Sequence, residues 1–415
     1  MSSWISEKDR AILRELANRQ AECHASPAMQ QTIADWRAHG DFRGRRPMVM
    51  LEMNTFEEEI LPERLRCEGE AARRLEADFY RRLLPGELFG DDHVVPGYFP
   101  LFRSTYFQPF AAPVQTHFAR DAQGRAIGRH FDPVIHDLAA DLPRLGKSAW
   151  GFDRDDTQQR LELAQDAFGD ILPVRLTMGC LTAVLTQHLV HLMGMENMLL
   201  AMYDCPDELH ALLGRLTEDQ CAYYHWLESE GLLLPTCAEQ PLDQGTYCFT
   251  SALPADRALH TTDVWGFMDS QETVGVSPDM FGEFFFPYYR RIAGCFGLLS
   301  YGCCEPVHPL WEPYIQTLPN LRRVSISPWC DEEYMGAALR GKPVVYHRKP
   351  SPQYLGVGDT LDEDGLREHI EHTLRAARGC TLEITQRDVY TIHGDIPKAR
   401  RFIEIIRDCI ERHWE

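Results

Sequence analysis

The sequence has 415 residues, of which 44% are apolar and 25% charged, which excludes a disordered chain and allows a large core. The formal net charge of −20 disfavours binding to nucleic acid or to anionic membrane surfaces. The sequence shows no run of eighteen apolar residues, no signal-peptide pattern and only scattered cysteines, so we expect a cytoplasmic protein that spans no membrane.

The first part of the chain combines helical patterns with an irregular segment. Residues 1–46 have helical apolar spacing, and we interpret them as an N-terminal helical segment ahead of a barrel unit over residues 47–415. The apolar run 47–53 predicts a strand that ends near Glu52. Residues 85–150 are rich in Pro, Gly, Phe and Asp, which predicts an irregular cap inserted into the barrel unit.

From about residue 170 onward, short apolar runs alternate with helical patterns. Such alternation predicts a parallel sheet covered on both faces. A closed barrel fits better than an open sheet, because no glycine-rich nucleotide turn follows any strand. We therefore predict an α/β fold, a TIM-type (β/α)8 barrel with an N-terminal helical and irregular cap. The predicted strands of this part are 171–179, 232–237, 264–272, 295–304, 321–329, 342–350 and 380–388.

Polar residues follow these runs, at the strand ends where barrels of this type carry their chemistry. A ring of such residues around one mouth indicates a site, because buried charges cost free energy unless they are paired. The candidate catalytic residues are Tyr301, Glu305, His347 and Arg387. The candidate substrate contacts are Glu52, Gln271, Trp329, Arg348, Lys349 and Asp388. We expect Cys303, Glu305, His347 and Arg387 to surround one cavity.

The block YGCCEP, residues 301–306, is the most specific of these strand ends. Sulfur and carboxylate ligands suit zinc, so Cys303 and Glu239 are candidate metal ligands, and packed small side chains are the alternative for the thiols. Adjacent strand residues point to opposite faces. We therefore expect Cys303 to face the cavity and Cys304 to pack against the surrounding helices or the next loop.

Three cations lie near neighbouring strand ends, namely Arg348, Lys349 and Arg387. Together they predict a ligand that carries a carboxylate or a phosphate. The alternative is that they form ion pairs with neighbouring carboxylates. Both interpretations stay open from the residues alone.

Three stretches resemble the uroporphyrinogen decarboxylase-like superfamily: GMENMLLAMYDCPDELHALL, SQETVGVSPDMFGEFFFPYYRRI and SYGCCEPVHPLWEPYIQTLPNLRRVSISPW. The resemblance covers roughly residues 165–412 and implies a TIM-type barrel. It also implies one of two chemistries. The first is cofactor-free decarboxylation of uroporphyrinogen. The second is zinc-dependent methyl transfer between corrinoid proteins and thiols such as coenzyme M, or the related demethylation.

The methyltransferases of this superfamily carry His-x-Cys at one strand end, where this chain has Tyr301-Gly302-Cys303. The resemblance therefore implies Cys303 as a zinc ligand, while Gln386 or Arg387 occupies the place of a later cysteine. We hypothesise a methyltransferase-like enzyme that acts on a small molecule with a corrinoid protein or a thiol as partner. One alternative is a decarboxylase or other lyase in which Tyr301 protonates the product. Another is a non-catalytic ligand-binding barrel.

Overall fold

The computed structural model describes residues 5–120 and 126–414, and a parallel sheet of seven strands forms the centre of the fold. In chain order the strands are β1 (Met48–Leu51), β2 (Phe99–Phe102), β3 (Ser104–Gln108), β4 (Gln115–Arg120), β5 (Ala126–Asp132), β6 (Ala149–Asp153), β7 (Val174–Thr177), β8 (Leu181–Ala183), β9 (Pro241–Leu242), β10 (Thr246–Tyr247), β11 (Trp265–Met268), β12 (Leu298–Tyr301), β13 (Leu321–Ile326), β14 (Val345–Arg348) and β15 (Thr381–Gln386). The helices are α1 (Glu7–Ala25), α2 (Pro27–Gly40), α3 (Glu70–Phe89), α4 (Leu138–Asp141), α5 (Arg154–Phe168), α6 (Leu185–Met193), α7 (Met195–Asp204), α8 (Pro206–Ser229), α9 (Pro278–Phe284), α10 (Phe286–Ala293), α11 (His308–Trp311), α12 (Glu332–Leu339), α13 (Gln353–Gly356), α14 (Glu363–Ala376) and α15 (Ile396–His413). The predicted α/β class is confirmed.

The sheet has the spatial order β8, β11, β12, β13, β14, β15, β1, and all its neighbouring strands are parallel. Tyr301 pairs with Val324, which confirms that the predicted strands 295–304 and 321–329 are adjacent. Within residues 5–120 and 126–414, the edge strands β8 and β1 do not pair with each other. The closed eight-stranded barrel that we predicted is therefore not shown.

Two predicted strands lie outside the main sheet. The run 171–179 contains β7, which pairs with β2. The run 232–237 forms no strand, and its Pro235 lacks the N–H group that a strand ladder needs. The edge position is taken by the three-residue strand β8, which is too short to give a periodic signal.

The two faces of the sheet differ in chemistry because strand residues alternate in direction. On one face, apolar side chains such as Val324 and Ile384 pack into the large core formed with the helices. The opposite face carries buried polar side chains, namely Arg323, Ser325, His347, Glu383 and Thr385. The apolar runs in the sequence therefore did not indicate that one face of the sheet is polar.

A short hairpin lies over this polar face. Its strands β9 and β10 are antiparallel, and Gln244 in the turn between them has a φ of +79°. Thr182 on β8 donates a hydrogen bond to Asp243 at 2.6 Å, and Thr246 donates one to Glu383 on β15 at 2.8 Å. The hairpin thus connects strands near both edges of the sheet.

The outer segments consist of helices and small sheets. Ser6 and Ser26 cap α1 and α2, because their hydroxyls accept hydrogen bonds from the first-turn backbone N–H groups. Within residues 104–153, β4 pairs with β5 and β3 pairs with β6, and both pairs are antiparallel. None of the described helices has both the length and the apolar character required to span a membrane.

Candidate active site

A cavity of about 680 Å³ opens at the carboxyl ends of the central strands. Its lining includes Cys303 and Cys304 after β12, Asp269 after β11, and Arg387 after β15. The hairpin turn contributes Gln244. This location agrees with the expectation that chemistry lies at the carboxyl ends of parallel strands.

The two adjacent thiols both line this cavity, with their sulfur atoms 3.5 Å apart. The expectation that only Cys303 faces the cavity, with Cys304 packed against the surrounding helices or the next loop, is therefore wrong. Strand β12 ends at Tyr301, and Gly302 has a φ of +98°, so the alternation of a strand does not extend to the cysteines. The turn at Gly302 brings both sulfur atoms to the same side.

Replacing Gly302 by alanine is expected to destabilise the protein by about 1–3 kcal/mol, because an L-residue is strained at this backbone conformation. The added Cβ would also lie 3.1 Å from the Ser325 Cβ and 3.3 Å from Val307. Urea unfolding measures the effect. Gly86→Ala is the matched control, because a Cβ at that helical position meets no atom within 4 Å. Equal stability of Gly302→Ala and wild type would contradict the strain argument.

The buried ammonium of Lys349 and the largely buried guanidinium of Arg387 lie beside the thiols. The Lys349 ammonium donates hydrogen bonds to the Gln244 side-chain oxygen and to the Cys303 carbonyl oxygen, the latter at 3.3 Å. Arg387 donates to the same Gln244 oxygen, and its Nε lies 3.2 Å from a Glu52 carboxylate oxygen. Burial lowers the pKa of Lys349. Gln244 therefore holds both cations at the base of the cavity.

The pKa values of the two thiols are shifted in opposite directions. A hydrogen bond from Cys303 lowers the pKa of Cys304, and Lys349 and Arg387 act in the same direction against burial and the nearby Asp388. The same hydrogen bond, together with burial, raises the pKa of Cys303. Cys304 is therefore the member of the pair that more readily forms a thiolate.

Asp269 is a cavity residue that sequence reasoning missed. Its side chain is only 3% exposed, and within the described part of the chain its Oδ1 has no hydrogen-bond partner. Burial, followed by the charges of Glu305 and Cys303, raises its pKa well above the ordinary value of an aspartate. Alternation along β11 could have revealed it, because it lies two residues after the cavity residue Phe267.

The raised pKa of Asp269 predicts a pH dependence of stability. As the pH rises above about 4, the unfolded state releases the proton while the folded state keeps it, so the folded state loses up to about 1.4 kcal/mol per pH unit until its own pKa is reached. Asp269→Asn removes this loss. The variant is expected to be more stable than wild type at neutral pH, with the difference vanishing at acidic pH.

Unfolding in urea across a pH series measures this difference. The exposed Asp359→Asn serves as control, because a solvated carboxylate carries no burial cost. A difference between Asp269→Asn and wild type that stays constant from acidic to neutral pH would contradict the assignment.

Two predicted site residues point towards the helices instead of the cavity. The Tyr301 hydroxyl lies 2.7 Å from the Ser270 hydroxyl, within the large core. Arg348 forms an ion pair with Glu332 of α12 at 2.6 Å. Both side chains occupy strand positions of the helix-facing register, which the apolar runs in the sequence did not distinguish. Neither residue lines the cavity.

Three further candidates lie outside the cavity lining and have local partners. Glu305 accepts hydrogen bonds from the backbone N–H groups of Ser270 and Cys303, each at 2.9 Å, and so holds two loops together. His347 Nε2 lies 2.8 Å from the Thr385 hydroxyl, on the polar face of the sheet. Glu239 lies beside the Tyr98 hydroxyl and does not line the cavity that contains Cys303.

The remaining candidates, except Lys349, line cavities. The main cavity includes Gln271, Trp329, Cys303, Arg387 and Asp388. Lys349 reaches its base through Gln244, as described above. Glu52 lines a second cavity of about 470 Å³, which shares Thr182, Asp243 and Gln244 with the first. The hairpin turn therefore lies between two neighbouring cavities.

The zinc site implied by the family resemblance requires a set of protein ligands. Among the residues that the structure describes, no group of three or more His, Cys, Asp or Glu side chains is arranged to hold a metal ion. Lys349 and Arg387 also face the thiols, and their positive charges oppose a divalent cation. The residues present do not fit zinc.

No protein-family model matches the chain, and no curated protein matches it. Among solved structures, the chain is similar to a methyltransferase from Methanosarcina mazei, with a TM-score of 0.51 and 13% sequence identity. The match covers 92% of this chain and 99% of that chain. The likeness is one of fold. Membership of the uroporphyrinogen decarboxylase-like superfamily stays a prediction.

Proposed function

We propose that the protein is a methyltransferase-like enzyme whose active site is the cavity above Cys303 and Cys304. The observation that carries this proposal is the pair of thiols beside two cations, the buried Lys349 and the largely buried Arg387, at the carboxyl ends of the sheet. The fold shared with a methyltransferase is consistent with it. The proposed substrates are a methyl donor and a small thiol that carries an anionic group.

The cations and the thiols take different roles in this proposal. Arg387 and Lys349 attract the anionic end of the acceptor, because both charges are largely removed from water. The Cys304 thiolate accepts the proton of the acceptor thiol and becomes a thiol, which leaves the acceptor as a thiolate. The acceptor sulfur then bonds to the methyl carbon while the bond between that carbon and the donor breaks, and the electron pair stays with the donor.

A corrinoid is the proposed methyl donor. The reduced protein is mixed with methylcobalamin and 2-mercaptoethanesulfonate without oxygen, and formation of the methylated thiol is followed by mass spectrometry. We expect wild type to accelerate the transfer. Cys304→Ser should lower the rate by about 100-fold or more, because it removes the general base. A wild-type rate equal to that without protein would contradict the proposal.

A decarboxylase is the second candidate, because Asp269 supplies a buried acid near Lys349. A protonated Asp269 delivers a proton to a carbanion after loss of carbon dioxide in this scheme, which is the role that the sequence predicts for Tyr301. Incubation with uroporphyrinogen tests this alternative. Decarboxylated porphyrinogens formed by wild type and lost in Asp269→Asn would support it over methyl transfer.

A further inference from the structure

The two thiols of Cys303 and Cys304 form a preorganised pair of sulfur ligands. Their sulfur atoms are 3.5 Å apart, whereas a disulfide bond is about 2.05 Å long, so both thiols are free and in contact. Both line the same open cavity, because of the turn at Gly302. Both sulfur atoms can therefore bond to one shared atom without any movement of the backbone.

The separation of the sulfur atoms and the surrounding charge restrict the kind of atom that can bridge the two thiols. A linear two-coordinate ion needs sulfur atoms about 4.6 Å apart, twice a typical metal–sulfur length of about 2.3 Å. A tetrahedral ion needs further ligands, which the described residues do not supply. A trivalent arsenic atom with one organic substituent needs only two sulfurs. Its dithiol adduct is uncharged, so Lys349 and Arg387 do not oppose it.

We propose that Cys303 and Cys304 are a dithiol binding site for monosubstituted trivalent arsenicals, with the organic substituent lying in the cavity near Trp329. In this reaction each thiol forms one arsenic–sulfur bond and gives up its proton. An arsenical with two hydroxyl groups loses both as water, and no atom is oxidised or reduced. Cys304 reacts first because its thiolate forms more readily, and Cys303 then closes the ring.

A second pair of thiols in the chain provides an internal comparison. Cys221 on α8 and Cys295, which follows α10, also have sulfur atoms 3.5 Å apart. They come from different elements and are half-buried outside the two cavities described above. If the separation of the sulfur atoms alone determined binding of the arsenical, Cys221 and Cys295 would bind it as well as Cys303 and Cys304 do.

Phenylarsine oxide is the probe. The reduced full-length protein is treated with one equivalent, and brief iodoacetamide labelling with peptide mapping then identifies which cysteines are protected. We expect protection of Cys303 and Cys304, reversed by 2,3-dimercaptopropanol but not by 2-mercaptoethanol. Cys303→Ser and Cys304→Ser should each weaken binding by about 100-fold or more, because the second bond forms within one molecule.

The double variant Cys221→Ser/Cys295→Ser should capture the probe as wild type does. Protection of Cys221 and Cys295 instead, or reversal by 2-mercaptoethanol, would overturn the proposal. The mapping on wild type needs no variant, so misfolding of a serine variant cannot mask the result. The arsenical inference does not rest on methyl transfer, because capture is measured without methylcobalamin.

Discussion

Replacing Glu383 by glutamine is expected to destabilise the protein by about 3–5 kcal/mol, because the change leaves a buried arginine without its counter-charge. Arg323 Nη2 lies 2.6 Å from the Glu383 carboxylate, and both side chains are at most 2% exposed. In the described part of the chain, Arg323 Nε and Nη1 have no hydrogen-bond partner. Glu383 also lies 3.0 Å from His39 Nε2, so one carboxylate joins the N-terminal helices to the sheet.

Equilibrium unfolding in urea measures this loss. Glu70→Gln is the matched control, because Glu70 forms an ion pair with Arg74 in which both side chains are more than three-quarters exposed. The control should change the free energy of unfolding by less than about 1 kcal/mol. If Glu383→Gln lowered the free energy of unfolding no more than this control does, the buried Arg323 would not need Glu383 as its counter-charge.

Replacing Arg387 by methionine is expected to lower kcat/KM for methyl transfer to 2-mercaptoethanesulfonate by about 100-fold. Loss of a largely buried cation that binds an anionic group costs about 2–5 kcal/mol. Removing the charge should also raise the pKa of Cys304, since Arg387 is one of the groups that lower it. Both KM and the pH at which the rate is half-maximal should rise.

Arg375→Met provides the comparison, because Arg375 lies on α14 with a side chain that is 62% exposed. It should leave the rate unchanged. A change in KM alone, with an unaltered pH profile, would show that Arg387 binds the acceptor without influencing Cys304. An unchanged kcat/KM would contradict both roles.

The sequence was informative where strands are apolar and continuous. Strands β11 to β15 lie within predicted runs, since their helix-facing side chains are strongly apolar. The strand β8 was missed because three residues carry no measurable period. The separation of β7 from the sheet depends on pairing with β2, which no local pattern encodes.

The site was predicted in part for a related reason. Cys303, Arg387 and Asp388 line the cavity, as strand-end residues should. Arg348 and Tyr301 were misplaced because a one-residue shift in register reverses the face, and strands that are apolar throughout do not reveal the register. Gln244 was missed because the hairpin turn reaches the cavity from a segment outside the main sheet.

The central claim is that the thiol pair beside Lys349 and Arg387 is the reactive centre of the protein. The most direct test is the rate of iodoacetamide labelling of each cysteine in the native protein across a pH series, measured by peptide mapping. Cys304 should react fastest, with a midpoint at a lower pH than that of an ordinary thiol. Labelling of Cys304 no faster than that of Cys205, a cysteine outside the cavity whose pKa burial raises, would contradict this account.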